Sequence, residues 1–134
     1  MHSAAPTAPV SKQALWAGRI LGALPLLMLL PSATMKFLKP PEVIEGFVRL
    51  GYPESLALGL GILELACTAV YLIPRTSVLG AILLTGYLGG ATATHVRVGD
   101  PFSMFIIPVI LGVLVWGGLF LCDPRLRALI PLRS

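Results

Sequence analysis

Charged residues are scarce in this sequence. Of its 134 residues, ten are Lys or Arg and six are Asp or Glu, so that 12% of the chain is charged while 56% is hydrophobic. An average soluble domain carries about 25% charged residues, and a disordered chain has low hydrophobicity. The composition excludes disorder and is typical of a one-domain integral membrane protein. The basic residues stand singly between apolar runs instead of forming a basic patch, so we expect no nucleic-acid partner.

Cysteine and histidine are rare as well, with two of each. Cys67 and Cys122 lie far apart in the sequence and form neither a dithiol motif nor a cysteine and histidine cluster, so we expect no metal site. The sequence contains no Ser/His/Asp set, phosphate-binding loop or dinucleotide fingerprint. No catalytic motif is visible, which leaves an enzymatic and a non-enzymatic role both open.

Long apolar runs dominate the chain instead. Four runs come close to the roughly 20 residues that a helix needs to cross a membrane, at about residues 15–35, 55–73, 78–96 and 102–122. They predict an all-α, antiparallel four-helix transmembrane bundle over residues 15–128, with a mobile tail at 1–14 and a C-terminal tail at 129–134. Pro25 and Pro108 fall inside two of the runs and should kink their helices.

The longest connection, between the first two runs, has the pattern of a short helix. Pro41 suits a first helical position, Glu42 and Glu45 suit the positive end of a helix dipole, and Gly51 suits a left-handed stop. Apolar and charged residues alternate between these signals. The sequence therefore predicts a short interfacial helix that lies on the membrane surface or caps the bundle.

The distribution of basic residues predicts the orientation. Six belong to the termini and the turn after the second run, and four belong to the other side: Lys12, Arg19, Arg75, Arg125, Arg127 and Arg133 against Lys36, Lys39, Arg49 and Arg97. Because Lys and Arg are enriched on the cytoplasmic side, we expect a multi-pass protein of the cytoplasmic (inner) membrane with both termini in the cytoplasm.

An acidic residue, Glu64, lies near the middle of the second run. An acid at this depth costs a few kcal/mol and normally faces a partner or water. Helix geometry makes a pair with Arg19 of the first run feasible, Tyr87 and Thr85 lie near the depth of Glu64, and Trp116 can offer a cation-π face to Arg19. The cluster fits two interpretations, a structural ion pair that fixes helix register or a substrate, quinone or proton site.

A second polar group is predicted at the opposite end of the bundle. His95 and Arg97 end the third run, and Asp100 follows them. A histidine beside basic residues can bind a quinone carbonyl or an anion, and a histidine at a helix end can equally be a capping or interfacial residue. We therefore take His95 and Arg97, together with the residues around Glu64, as candidate ligand-binding residues.

Small residues recur at helical spacing in two runs. In lipid such stripes let helix backbones approach closely, which favours packing within the bundle, with a homodimer interface as the alternative. The stripes are Ala14, Gly18 and Gly22 in the first run and Gly86, Gly90 and Thr94 in the third.

The segment from Pro74-Arg75-Thr76 to Thr94-His95-Val96-Arg97 resembles the signature of the DoxX-like membrane proteins. Arg19, Lys36-Phe37, Gly51-Tyr52-Pro53 and Leu63-Glu64-Leu65 also match that pattern, so that the resemblance covers about residues 15–128. It implies a four-helix membrane bundle in which Glu64 and Arg19 are recurring polar positions. The family takes its name from a small subunit of a thiosulfate:quinone oxidoreductase, and other members are reported beside redox proteins or as assembly factors.

Three functions follow as alternatives. The first is an accessory subunit of a quinone-linked or other membrane redox system, with a quinone as the candidate cofactor in a polar intramembrane pocket. The second is a small-molecule carrier or efflux-type protein, and the third is a membrane chaperone or scaffold. The expected partners are the lipid bilayer, membrane or redox proteins and a second copy of the chain.

Overall fold

The computed structural model describes residues 9–130, and every regular element in that range is helical. The elements are α1 (Lys12–Ala23), α2 (Leu26–Leu38), α3 (Pro41–Arg49), α4 (Leu56–Leu72), α5 (Ser77–Arg97), α6 (Phe102–Cys122) and α7 (Pro124–Leu129), with a 3-10 turn at Pro74–Thr76. The predicted all-α class is confirmed. Of the two predicted tails, residues 1–8 and 131–134 lie outside the described residues.

A proline divides the first apolar segment into α1 and α2. Pro25 has no backbone N–H to donate, so the helix stops at Ala23 and resumes at Leu26, as expected for this position. Pro108 lies within α6, which continues past it without interruption. Because α2 runs on to Leu38, the whole segment has 27 residues, and Lys36 lies inside it.

The short helix predicted between the first two runs is present as α3. Pro40 is extended, Pro41 is the first helical residue, and the chain turns after Leu50 through Gly51, whose φ of 83° suits glycine. Phe47 is the buried residue of α3, and its ring centroid lies 6.2 Å from that of Tyr52. This contact joins α3 to the loop that follows it.

Three segments are long and apolar enough to cross a membrane, namely Lys12–Leu38, Pro74–Arg97 and Phe102–Cys122. α4 is apolar too, but it has 17 residues. Large apolar side chains cover the outside of these helices; Leu27 is 72% exposed and Val113 is 66% exposed. A surface of this kind is stable in lipid and not in water.

The helices pack in the order α1, α6, α5, α4, α2. α1 and α6 are in close contact where Gly18 and Gly22 face Gly118; a Cβ on Gly118 would lie 2.7 Å from the backbone nitrogen of Gly22. The stripe of small residues in the first run therefore packs within the chain. The Tyr71 hydroxyl donates to the carbonyl of Gly22 at 3.0 Å, which joins α4 to α1.

Between the helices lies a buried cluster of apolar side chains. It draws residues from α2, α4, α5 and α6: Leu29, Cys67, Tyr71, Ala81, Leu84, Leu88, Leu111 and Val115. Cys67 and Tyr71 of this core lie on α4, the helix that carries Glu64.

Candidate functional site

A buried carboxylate is the centre of the site. Glu64 lies at the middle of α4, and the residue is 1% exposed. Its Oε2 accepts hydrogen bonds from Lys36 Nζ at 2.7 Å, Ser32 Oγ at 3.2 Å and the Tyr87 hydroxyl at 3.1 Å. Three donors from α2 and α5 therefore meet at one oxygen of a residue on α4.

The ion pair of Glu64 is made with Lys36 and not, as the sequence suggested, with Arg19. Arg19 is exposed, and its guanidinium carbon lies 5.8 Å from the ring centroid of Trp16. The reason is the break at Pro25, because α1 packs on α6 while α2 packs on α4. A base on α2 can therefore reach Glu64 on α4, whereas Arg19 on α1 does not.

A sequence signal for Lys36 was present. Ser32 and Lys36 are four residues apart, so they lie on one face of a helix, and Lys36 Nζ donates to Ser32 Oγ at 2.6 Å. The apolar run ends at residue 35, which predicts a position outside the membrane for Lys36. Its long side chain instead returns along α2 to the carboxylate, and 15% of it is exposed.

Of the two hydroxyls proposed for Glu64, Tyr87 makes the contact and Thr85 does not. Thr85 donates to the carbonyl of Ala81 at 2.7 Å and accepts from Trp116 Nε1 at 2.7 Å. Trp116 therefore does not stack on Arg19. Thr85 and Trp116 line a separate groove between α5 and α6, with a volume of about 540 Å³.

The polar cluster opens into a cavity of about 630 Å³ that is bounded by α2, α3, α4, α5 and α6. Lys36, Glu64, Ser32 and Tyr87 line it on one side, and the remaining walls are mainly apolar. The second stripe of small residues also lines this cavity, as Gly86, Gly90 and Thr94. A Cβ on Gly86 or Gly90 would meet nothing within 4 Å, so these two glycines leave space open and do not pack against another helix of this chain.

The edge of the cavity under α3 carries a second polar cluster. Asp100 pairs with Arg49 of α3, and its Oδ2 lies 2.5 Å from His95 Nδ1. The hydrogen bonds from Arg49 and then from His95 hold the pKa of Asp100 below its usual value. The cluster ties α3 to the turn between α5 and α6.

Two further contacts fix α3 and its following loop at this edge. Arg97 Nη2 donates to the carbonyl of Leu50 at 2.5 Å, and the hydroxyl oxygens of Tyr52 and Thr94 lie 2.8 Å apart. Arg97 thus holds the backbone in place at the C-terminal end of α3. His95 and Arg97 were predictable as site residues from the sequence, whereas the role of Arg49 depends on where α3 lies.

The predicted site residues therefore do not all lie at one place in the structure. Glu64, Tyr87 and His95 line one cavity, and Arg97 binds beside it. Arg19 and Trp116 lie elsewhere. Lys36 and Ser32, which were not among the predicted site residues, complete the polar cluster around Glu64.

Apolar helices with an apolar outer surface and an ion pair between them define a multi-pass membrane protein. The chain belongs to the DoxX-like family, whose family model matches residues 20–118. No curated protein and no solved structure matches the chain.

Proposed function

We propose that the protein crosses the cytoplasmic (inner) membrane four times, as an antiparallel four-helix bundle with both termini in the cytoplasm. α4 is the additional crossing segment, because 17 residues of helix extend about 25 Å and α4 packs between α2 and α5. Basic residues in the termini and in the turn after α4 support the orientation.

The cavity receives the head group of a quinone, and the protein acts as an accessory membrane subunit of a quinone-linked redox system, beside a redox partner protein. The observation that carries this proposal is the Lys36 and Glu64 pair lining a mainly apolar cavity. Charged residues within membrane segments are costly and usually mark a functional site. The resemblance to a family that includes a subunit of a quinone oxidoreductase supports the redox context.

The residues present fit a quinone head group, which is flat, uncharged and bears carbonyl oxygens. The cavity volume of about 630 Å³ lies within the range of small-molecule sites. Lys36 Nζ has three N–H groups and donates to Ser32 and Glu64, so its third N–H is available for a carbonyl oxygen of the ligand. A bound quinone supplies the electron chemistry, and the residues of this chain bind and orient it.

The proposal is tested by filling the cavity. Gly90 lines the cavity and has open space at its Cβ position, so Gly90→Leu places a side chain where the ligand would lie. Gly59→Leu is the matched control, because Gly59 also has open space, lies in α4 and does not line the cavity. Both variants add the same side chain to a helix.

Each purified protein is titrated in detergent with a short-chain alkyl benzoquinone by calorimetry, after thermal unfolding has shown that it is folded. The wild-type protein and Gly59→Leu should bind with similar affinity, and Gly90→Leu should bind at least tenfold more weakly. Absence of binding to the wild-type protein, or equal binding to all three, would overturn the proposal.

A further inference from the structure

We propose that this cavity selects the reduced, hydroxyl-bearing form of its ligand, a quinol head group, through the second carboxylate oxygen of Glu64. This inference rests on the proposed function, since it specifies which redox form of the ligand the same site prefers. It assigns a hydrogen-bonding role to an atom that the Lys36 ion pair does not use.

The two oxygens of Glu64 have different surroundings. Lys36, Ser32 and Tyr87 all donate to Oε2, and Oε1 accepts no hydrogen bond from any of the described residues. Among the described residues, every fully buried side-chain oxygen or nitrogen has a hydrogen-bond partner. The side chain of Glu64 is 2% exposed, so this small exposed area must include Oε1.

The exposed area of Glu64 opens into the cavity. Glu64 lines the cavity beneath α3 and does not line the groove beside Trp116. The carboxylate therefore presents Oε1 to whatever occupies the cavity. An unpartnered oxygen on a side chain that is 98% buried requires a donor, because an unsatisfied charged group has a large desolvation cost.

An ionised carboxylate only accepts hydrogen bonds, whereas the Lys36 ammonium only donates them. These groups are neighbours, with Lys36 Nζ 2.7 Å from Glu64 Oε2. One aromatic hydroxyl satisfies both, because it donates its proton to Oε1 and accepts the third N–H of Lys36. A quinone carbonyl can accept from Lys36 but has no proton to donate, and it places a second acceptor beside Oε1. The site therefore favours the quinol.

The experiment compares three ligands with the same ring and alkyl chain, an alkyl benzoquinol, the corresponding quinone and the dimethyl ether of the quinol. Calorimetric titration of the full-length wild-type protein in detergent, without oxygen, measures their dissociation constants. The quinol should bind at least tenfold more tightly than the quinone and the ether, as expected for one hydrogen bond to a charged group.

Glu64→Gln identifies the atom responsible. A glutamine amide can donate as well as accept, so the preference for the quinol over the quinone should fall to about threefold or less. Arg19→Gln is the control, because Arg19 is an exposed base outside the cavity, and it should retain the wild-type preference. If Glu64→Gln does not fold, the comparison of quinol with its dimethyl ether on the wild-type protein decides.

The outcomes separate this inference from the proposed function. If quinone and quinol bind equally and Gly90→Leu weakens both, the site binds quinones but Glu64 Oε1 does not select the reduced form, and the inference is wrong. If neither form binds the wild-type protein, or Gly90→Leu has no effect, the proposed function fails as well.

Discussion

Replacing Lys36 with glutamine should strongly destabilise the protein. The side chain of Glu64 is 2% exposed, and Lys36 is its partner in the ion pair. Removing one partner from a buried pair typically costs about 3–5 kcal/mol, because the remaining charge keeps its desolvation penalty and loses the attraction. Ser32 and Tyr87 still donate to Oε2 in the variant. We therefore expect Lys36→Gln to lower the free energy of unfolding by about 3 kcal/mol, the lower end of that range.

Replacing Glu64 with glutamine should cost less. The amide oxygen still accepts from Ser32 or Tyr87, and the Lys36 side chain, which is 15% exposed, can turn its ammonium group towards the cavity. We expect a loss of about 1–2 kcal/mol, the cost of weakened hydrogen bonds to a charged group. In the double variant neither charge is left alone, so the two changes should show a coupling energy of about 2 kcal/mol.

Denaturant-induced unfolding in mixed micelles gives the free energy of unfolding of the four proteins in this cycle, namely the wild type, the two single variants and the double variant. Arg19→Gln and Glu64→Gln form a second cycle as a control. Arg19→Gln alone should change the free energy of unfolding by no more than about 0.5 kcal/mol, and its coupling energy with Glu64→Gln should be near zero. Arg19 is exposed and lies beside Trp16. A coupling below about 0.5 kcal/mol for Lys36, or an equal coupling for Arg19, would refute the assignment of the ion pair.

The close helix contact, the carboxylate under α3 and the two thiols each give a further expectation. Gly118→Ala should lose about 2–3 kcal/mol in the same unfolding assay, because the added Cβ would lie 2.7 Å from the backbone of α1. Gly59→Ala, with open space, should gain about 0.5–1 kcal/mol from helix propensity. Because its arginine and histidine partners lower the pKa of Asp100 from 3.8, their pairing stabilises the protein above that pH. This contribution is lost as the pH falls through the lowered pKa, and Asp100→Asn should show a smaller acid-induced loss of stability. A maleimide should label Cys122, which is half-buried, faster than the buried Cys67 in the folded protein, with equal labelling after denaturation.

Much of the fold could be predicted from where charges and prolines lie. The helix Phe102–Cys122 has the predicted bounds of the fourth run, because Pro101 and Asp123 flank an uninterrupted apolar stretch. The short helix α3 was predictable because Pro41 and Gly51 are local signals that act on their own neighbours. Glu64 stood out because an acid within an apolar run has few structural explanations.

The partner of Glu64 could not be predicted in the same way. Depth along a helix depends on rise per residue, which the sequence supplies, but the face that a residue presents depends on how the helices pack. The break at Pro25 separates the packing of α1 from that of α2, so Arg19 lies beside Trp16 while Lys36 reaches Glu64. Lys36 lies near the end of α2, and its long side chain still places the ammonium group beside a carboxylate at the middle of α4.

The two stripes of small residues separate what the sequence determines from what the tertiary structure decides. The sequence alone determined that Gly18 and Gly22, like Gly86 and Gly90, share a face of one helix, because helical spacing is a local property. Only the tertiary structure decided that the first pair is pressed against Gly118 while the second borders an open cavity. A missing side chain permits close packing and equally permits empty space, and the position of the neighbouring helix determines which of the two occurs.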